Sequence, residues 1–278
     1  MLRGLLALGV LLFPPAPARW SELAGEDRTA LFEKARTQPL GERLISLSTP
    51  FLGTPYQISP LGEGTGKDPD PLWRYDAVDC LTFVEETIAL SLAPSLEGAP
   101  DILSALRYAK MPRYEDRNHL MEAQWLPNNV AKGFIHDVTR EFGEGVTQRT
   151  QKVITHATWK SASARALDLP KDHQPEGRFP LRVIPLAQTL EKVSGAPDGT
   201  LLLVVREDRP SRVTRVSHLG FLHHAQSRLY LRHATKGWLN AVVDEELGHF
   251  LARINRHNDA GDWKVVGVSL YQVTPAAR

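Results

Sequence analysis

Apolar residues recur at helical spacing from residue 20 to 36, with Trp20, Leu23, Leu31 and Phe32 set among charges. Leu44, Ile45 and Leu52 extend the pattern, so helices are expected over 20–36 and 40–52. Residues 58–73 are rich in proline and glycine and end in Asp68-Pro69-Asp70-Pro71, which predicts a loop. A helix should start at Asp79 and run to about Leu92, stopping before Pro94. Asp101–Lys110 and His119–Phe142 read as further helices, the second interrupted at Pro127. The stretch from Gly143 to Pro180 is polar and mixed, with one strand at Lys152–Thr155 and one short helix at Lys160–Leu167. After Pro185 the period becomes extended. Leu201–Arg206, His218–His224, Leu229–Thr235 and Val265–Val273 predict strands, and Leu247–Asn255 a helix. Helices first and an antiparallel meander last predict an α+β fold. A single unit over 19–278, elaborated by helices around 100–195, is the simplest organisation.

The first eighteen residues modify that picture. Arg3, the apolar run Leu5–Phe13 and Ala16-Pro17-Ala18 have the layout of a secretory signal cleaved after Ala18. The run is too short to span a bilayer, so no membrane anchor is expected after cleavage. A periplasmic or secreted location follows as the expectation. The 278 residues carry 33 basic and 32 acidic side chains, a balance that gives no reason to expect a nucleic-acid partner. The single cysteine excludes an intramolecular disulfide and a zinc site built from several thiolates. A free thiol in an exported protein calls for a reason.

Asp79 is suited to cap the following helix, which would place Cys80 in its first turn, where the helix dipole favours thiolate. Cys80, Phe83, Val84, Thr87 and Ile88 share a helix face turned towards the protein body, with Glu85 and Glu86 further round towards solvent. Two readings of Cys80 stay open on this evidence: a nucleophile or a small buried hydrophobe. A base is needed for the first. If His224 pairs with Leu229, Gly220 lies opposite His233, and His218 and His233 project to one side as diagonal neighbours. Leu219, Phe221 and Leu231 are expected on the opposite, core-facing side. A zinc reading is weaker, because His218 and His224 lie about 20 Å apart along an extended strand. No Gly-x-Ser-x-Gly, phosphate loop or His-Glu-x-x-His occurs.

Several segments together carry a resemblance. They are Gly53-Thr54-Pro55-Tyr56, Asp79-Cys80-Leu81-Thr82-Phe83-Val84-Glu85, Tyr114-Glu115-Asp116-Arg117-Asn118-His119, Ser217-His218-Leu219-Gly220-Phe221 and Arg232-His233-Ala234-Thr235. In this order they resemble the N-acetylmuramoyl-L-alanine amidase-like family of NlpC-type, papain-like cysteine peptidases and amidases, from about residue 40 to 273. Leu120 stands where that family usually carries an aromatic residue. The resemblance implies a papain-like core with the nucleophile helix packed on an antiparallel sheet. It implies Cys80 as nucleophile, His218 as general base and acid, and His233 as the residue orienting His218. Tyr56, Asp79, Tyr114, Arg117, His119 and Trp125 would surround the substrate, with Tyr56 near the oxyanion. In that reading Arg117 binds a carboxylate or makes an internal ion pair with Asp116 or Glu115, and Tyr114 and Trp125 stack on a sugar or pack in the core. No metal or other cofactor is implied. The substrate would be peptidoglycan or a muropeptide, cut at the N-acetylmuramoyl-L-alanine amide. The alternatives are D,L-endopeptidase action on the peptide stem and an inactive wall-binding homologue.

Overall fold

A computed structural model describes residues 18–237, 239–259 and 263–274; the proposed signal, save Ala18, lies outside them. The helices are α1 (Gly25–Arg36), α2 (Leu40–Ser48), α3 (Cys80–Leu92), α4 (Ala99–Arg107) and α5 (Leu126–Ala131), then the short α6 (Thr139–Phe142), α7 (His156–Trp159), α8 (Ala162–Arg165) and α9 (Thr189–Val193), and finally α10 (Leu247–Asp259). The strands are β1 (Ile135–Asp137), β2 (Gln148–Ile154), β3 (Gly177–Pro185), β4 (Leu201–Arg206), β5 (Val216–Ala225), β6 (Arg228–Thr235), β7 (Ala241–Glu246) and β8 (Val265–Val273). They form one antiparallel sheet in the order β2-β3-β8-β4-β5-β6-β7, with β1 beside β8. The α+β expectation therefore holds. Among the described residues no helix is long and apolar enough to cross a membrane.

Both faces of the sheet are covered, which explains why Leu201 to Val205 are apolar without interruption and all buried. Leu201, Leu203, Val205, Leu219 and Phe221 face Phe83, Val84 and Ile88 of α3. Leu202, Val204, Leu222 and Leu231 face Phe250, Leu251 and Ile254 of α10. Leu231 thus lies on the same face as His233, two residues away, and not on the opposite side as the sequence reading placed it.

Three other segments differ from expectation. The predicted helix over 119–142 is broken into a π-helical turn at Met121–Trp125, α5, β1 and α6. The strand expected at Lys152–Thr155 is the end of β2, but residues 100–195 also hold β3, which Pro180 and Pro185 disguise. β7 was also missed, since Asp244, Glu245 and Glu246 give it the look of a charged loop. The β5–β6 hairpin follows its predicted register, with His224 opposite Leu229. Its two turn residues, Gln226 and Ser227, both have positive φ, the conformation that matches strand twist in a two-residue hairpin.

Candidate active site

Asp79 closes the start of α3 with a reciprocal cap. Its Oδ1 accepts from the backbone N–H groups of Leu81 (3.0 Å) and Thr82 (2.8 Å), while Thr82 Oγ1 accepts from the N–H of Asp79 (2.8 Å). Asp79 Oδ2 also accepts from the N–H of Ser59. Upstream, Tyr56 bridges to Val78 and donates its N–H to the carbonyl of Asn240, which ties Tyr56 to the sheet beside Cys80.

Cys80 sits on the α3 side of the sheet, yet it opens into a cavity of about 260 Å³ shared with His218, Tyr56, Lys236, Phe250 and Arg253. The sheet is split there. β5 and β6 pair only as far as Phe221 and Arg232, whereas β5 continues along β4 to Val216 and β6 continues along β7 to Thr235. The Leu219 N–H, beyond the last pair, points at the Cys80 sulfur. Among the described residues no hydrogen bond joins Cys80 to His218.

His218 Nε2 lies 2.7 Å from His233 Nδ1, with the rings at 88°. A bulge at Ser217 precedes His218, where the register with β4 shifts. Gly220 makes the approach possible: a Cβ there would come within 2.5 Å of the Arg232 carbonyl oxygen and 2.8 Å of His233 Cβ. Behind the pair, His233 Nε2 lies 3.2 Å from Glu245 Oε2, and Arg253 donates to both oxygens of Glu245 at 2.9 and 2.6 Å. The Phe250 ring packs against both imidazoles. Glu245, Phe250 and Arg253 escaped the sequence reading. Only the β6–β7 register, visible once β7 is known, puts Glu245 opposite Leu231, diagonal to His233.

Burial, together with the Asp79 charge, pushes the Cys80 thiol up to about 12, against the pull of nearby backbone N–H groups. Desolvation thus outweighs the helix dipole from which a thiolate was expected. Burial also holds His218 well below the usual histidine range, aided by His233 and Arg253. Tyr56, raised by burial and by Cys80 and Asp79, keeps its phenolic proton. Both shifts favour the neutral forms, a thiol beside a neutral imidazole.

The other expected residues fall in a second region. Asp79, Arg117 and His119 line a separate cavity of about 140 Å³. Arg117 is paired with Glu63 (2.6 Å) and Asp68 (2.9 Å), not with Glu115 or Asp116. His119 Nε2 donates to the Tyr114 carbonyl at 2.7 Å, and burial lowers its pKa to about 4. The Tyr114 ring packs tilted against His119, and its hydroxyl donates to the Leu167 carbonyl. Trp125 is wholly buried and donates Nε1–H to Glu85, so its ring packs against protein and has no face free for a sugar. Glu85 and Glu86 are likewise buried, not turned to solvent: α4 packs along α3 and reaches Glu85 through Arg107, while Glu86 accepts from the backbone N–H of Arg74. Arg107 donates to Glu85 at 2.8 Å, whereas Glu86 Oε2 has no hydrogen-bond partner.

This arrangement of helices on an antiparallel sheet is the fold of amidase-like proteins of known structure. A Legionella pneumophila protein of the DUF1460 family aligns with a TM-score of 0.76 at 24% identity, over 90% of this chain and 94% of its own. An N-acetylmuramoyl-L-alanine amidase from Bacteroides uniformis aligns with a TM-score of 0.66 at 23% identity, over 84% and 99%. A putative xylanase from Bacteroides fragilis aligns with a TM-score of 0.62 at 21% identity, over 82% and 100%. At such identities the likeness is one of fold. Sequence defines the family: the chain belongs to the AmiA-like, N-acetylmuramoyl-L-alanine amidase-like family, whose model matches residues 46–256. No curated protein matches it significantly.

Proposed function

We propose that this chain is an exported cysteine amidase with a papain-like, NlpC-type core that hydrolyses the lactyl–L-alanine amide of N-acetylmuramoyl peptides. The observation that carries the proposal is the sharing of one cavity by Cys80 and His218, with His233 hydrogen-bonded behind His218. Membership of an amidase-like family supports the reaction class and a peptidoglycan-type substrate. Since thiol and imidazole are both neutral at rest, His218 takes the Cys80 proton as sulfur attacks the amide carbonyl. The carbonyl electrons move to oxygen, and the Cys80 N–H and the Tyr56 hydroxyl stabilise that charge. His218 then protonates the leaving amine, and water activated by the same ring hydrolyses the thioester.

Incubating the purified chain with defined muropeptides and weighing the products tests this reading. Release of an intact peptide beginning with L-alanine supports it, provided that Cys80→Ala abolishes the release. A shortened muropeptide would mean endopeptidase action on the stem. Binding without any product would mean a wall-binding homologue, and full activity in Cys80→Ala would overturn the thiol mechanism.

A further inference from the structure

We propose that Glu245 is a positioning residue which acts through His233 to set the ring tautomer of His218, leaving His218 Nδ1 as the basic atom of the site. The inference deepens the amidase reading and rests on it for the use of that base.

The argument is a count of protons along the chain Arg253–Glu245–His233–His218. Arg253 has only donors, and it places two of them on the two oxygens of Glu245 at 2.9 and 2.6 Å. A carboxylate clamped in this way is ionised and can only accept. Its pKa agrees: burial alone would raise it, but the bonds from His233 and Arg253 hold it at about 2. His233 Nε2, 3.2 Å from Glu245 Oε2, must therefore carry a hydrogen and donate it. In neutral His233 the other nitrogen, Nδ1, is then a lone pair. The 2.7 Å between His233 Nδ1 and His218 Nε2 holds one proton, so that proton belongs to His218 Nε2. His218 Nδ1 is left unprotonated, free to take a hydrogen from the thiol. His233 is wholly buried, so bulk water offers it no competing partner.

Without the carboxylate the relay can run backwards. His233 Nδ1–H would donate to His218 Nε2, the His218 hydrogen would move to Nδ1, and the site would present a donor where it needs an acceptor. Among the described residues, the ionisable groups acting most on His218 are His233, Arg253, Glu245 and Arg206, and of these Glu245 is the acid.

Long-range ¹H–¹⁵N correlation of the ¹⁵N-histidine-labelled full chain near neutral pH reads the tautomers directly and needs no turnover. Both His218 and His233 are expected to carry hydrogen on Nε2. In Glu245→Gln, whose amide can donate as well as accept, His218 should shift towards the Nδ1–H form. kcat on muropeptides should fall on the order of 10- to 100-fold at unchanged KM. Glu245→Asp should restore the wild-type pattern. An Nδ1–H tautomer of His218 in the wild type would overturn the proposal. So would a Glu245→Gln variant with unchanged tautomers and an unchanged pH–rate profile. If the wild type shows the expected tautomers but releases nothing from muropeptides, the amidase reading fails and the tautomer assignment stands.

Discussion

His218 Nε2 and His233 Nδ1 meet at 2.7 Å beyond the point where their strands have stopped pairing, at Phe221 and Arg232. Side chains rather than the backbone ladder hold the two strands together there, and the absent side chain of Gly220 sets how closely they approach.

Gly220→Ala tests this directly. The added carbon would meet backbone oxygen at 2.5 Å, which no side-chain rotation can relieve. A loss of about 1–3 kcal/mol in urea unfolding is expected from the overpacking, with a larger proportional loss of activity. Retained activity at wild-type stability would show that the imidazole contact tolerates a wider gap.

The Cys80 thiol, pushed up to about 12 by burial and by Asp79, should react with iodoacetamide more slowly at pH 7 than a free cysteine. The rate should keep climbing above pH 9 without levelling off. Asp79→Asn keeps a good cap, because Asn caps as well as Asp, but removes the negative charge beside the sulfur. Alkylation of that variant should be faster and its titration shifted down. A wild-type plateau below pH 7 would mean a thiolate–imidazolium pair at rest.

Glu86 offers a test in stability. Burial raises its carboxyl well above the ordinary value of 4.5, and one oxygen has no partner. The folded state thus favours the proton. The contribution of this group is fully present below about pH 4.5 and is lost as pH rises through the folded value. Glu86→Gln should raise the melting temperature at pH 8 and leave it unchanged at pH 4. An equal shift at both pH values would remove ionisation as the cause.

Arg107→Met should cost about 3–5 kcal/mol in urea unfolding, because it strands the buried Glu85 carboxylate. Adding Glu85→Gln should recover most of that loss, since the amide oxygen can still accept from Trp125. A double variant no more stable than the single one would mean that packing of the Arg107 stem, not charge, supplies the stability.

What could be read from the sequence was local. The cap at Asp79, the start of α3 and the even register of the β5–β6 hairpin depend on residues within a few positions of each other, so spacing alone suffices. The burial of Glu85 depends on α4 and Trp125, and that of Glu86 on the loop at Arg74, segments whose docking no single-helix period reveals. Glu245 was illegible for a related reason. Its part in the relay exists only once β7 is known to lie beside β6, and the acidic run that ends β7 disguises it as surface.

The bond from Trp125 to Glu85 and that from Arg107 to the same carboxylate fasten the 100–130 segment to the helix that bears Cys80. That segment is consequently not a detachable insertion. Cutting it out to make a minimal version of the protein would unseat α3 itself, so a smaller working form has to be sought by trimming elsewhere.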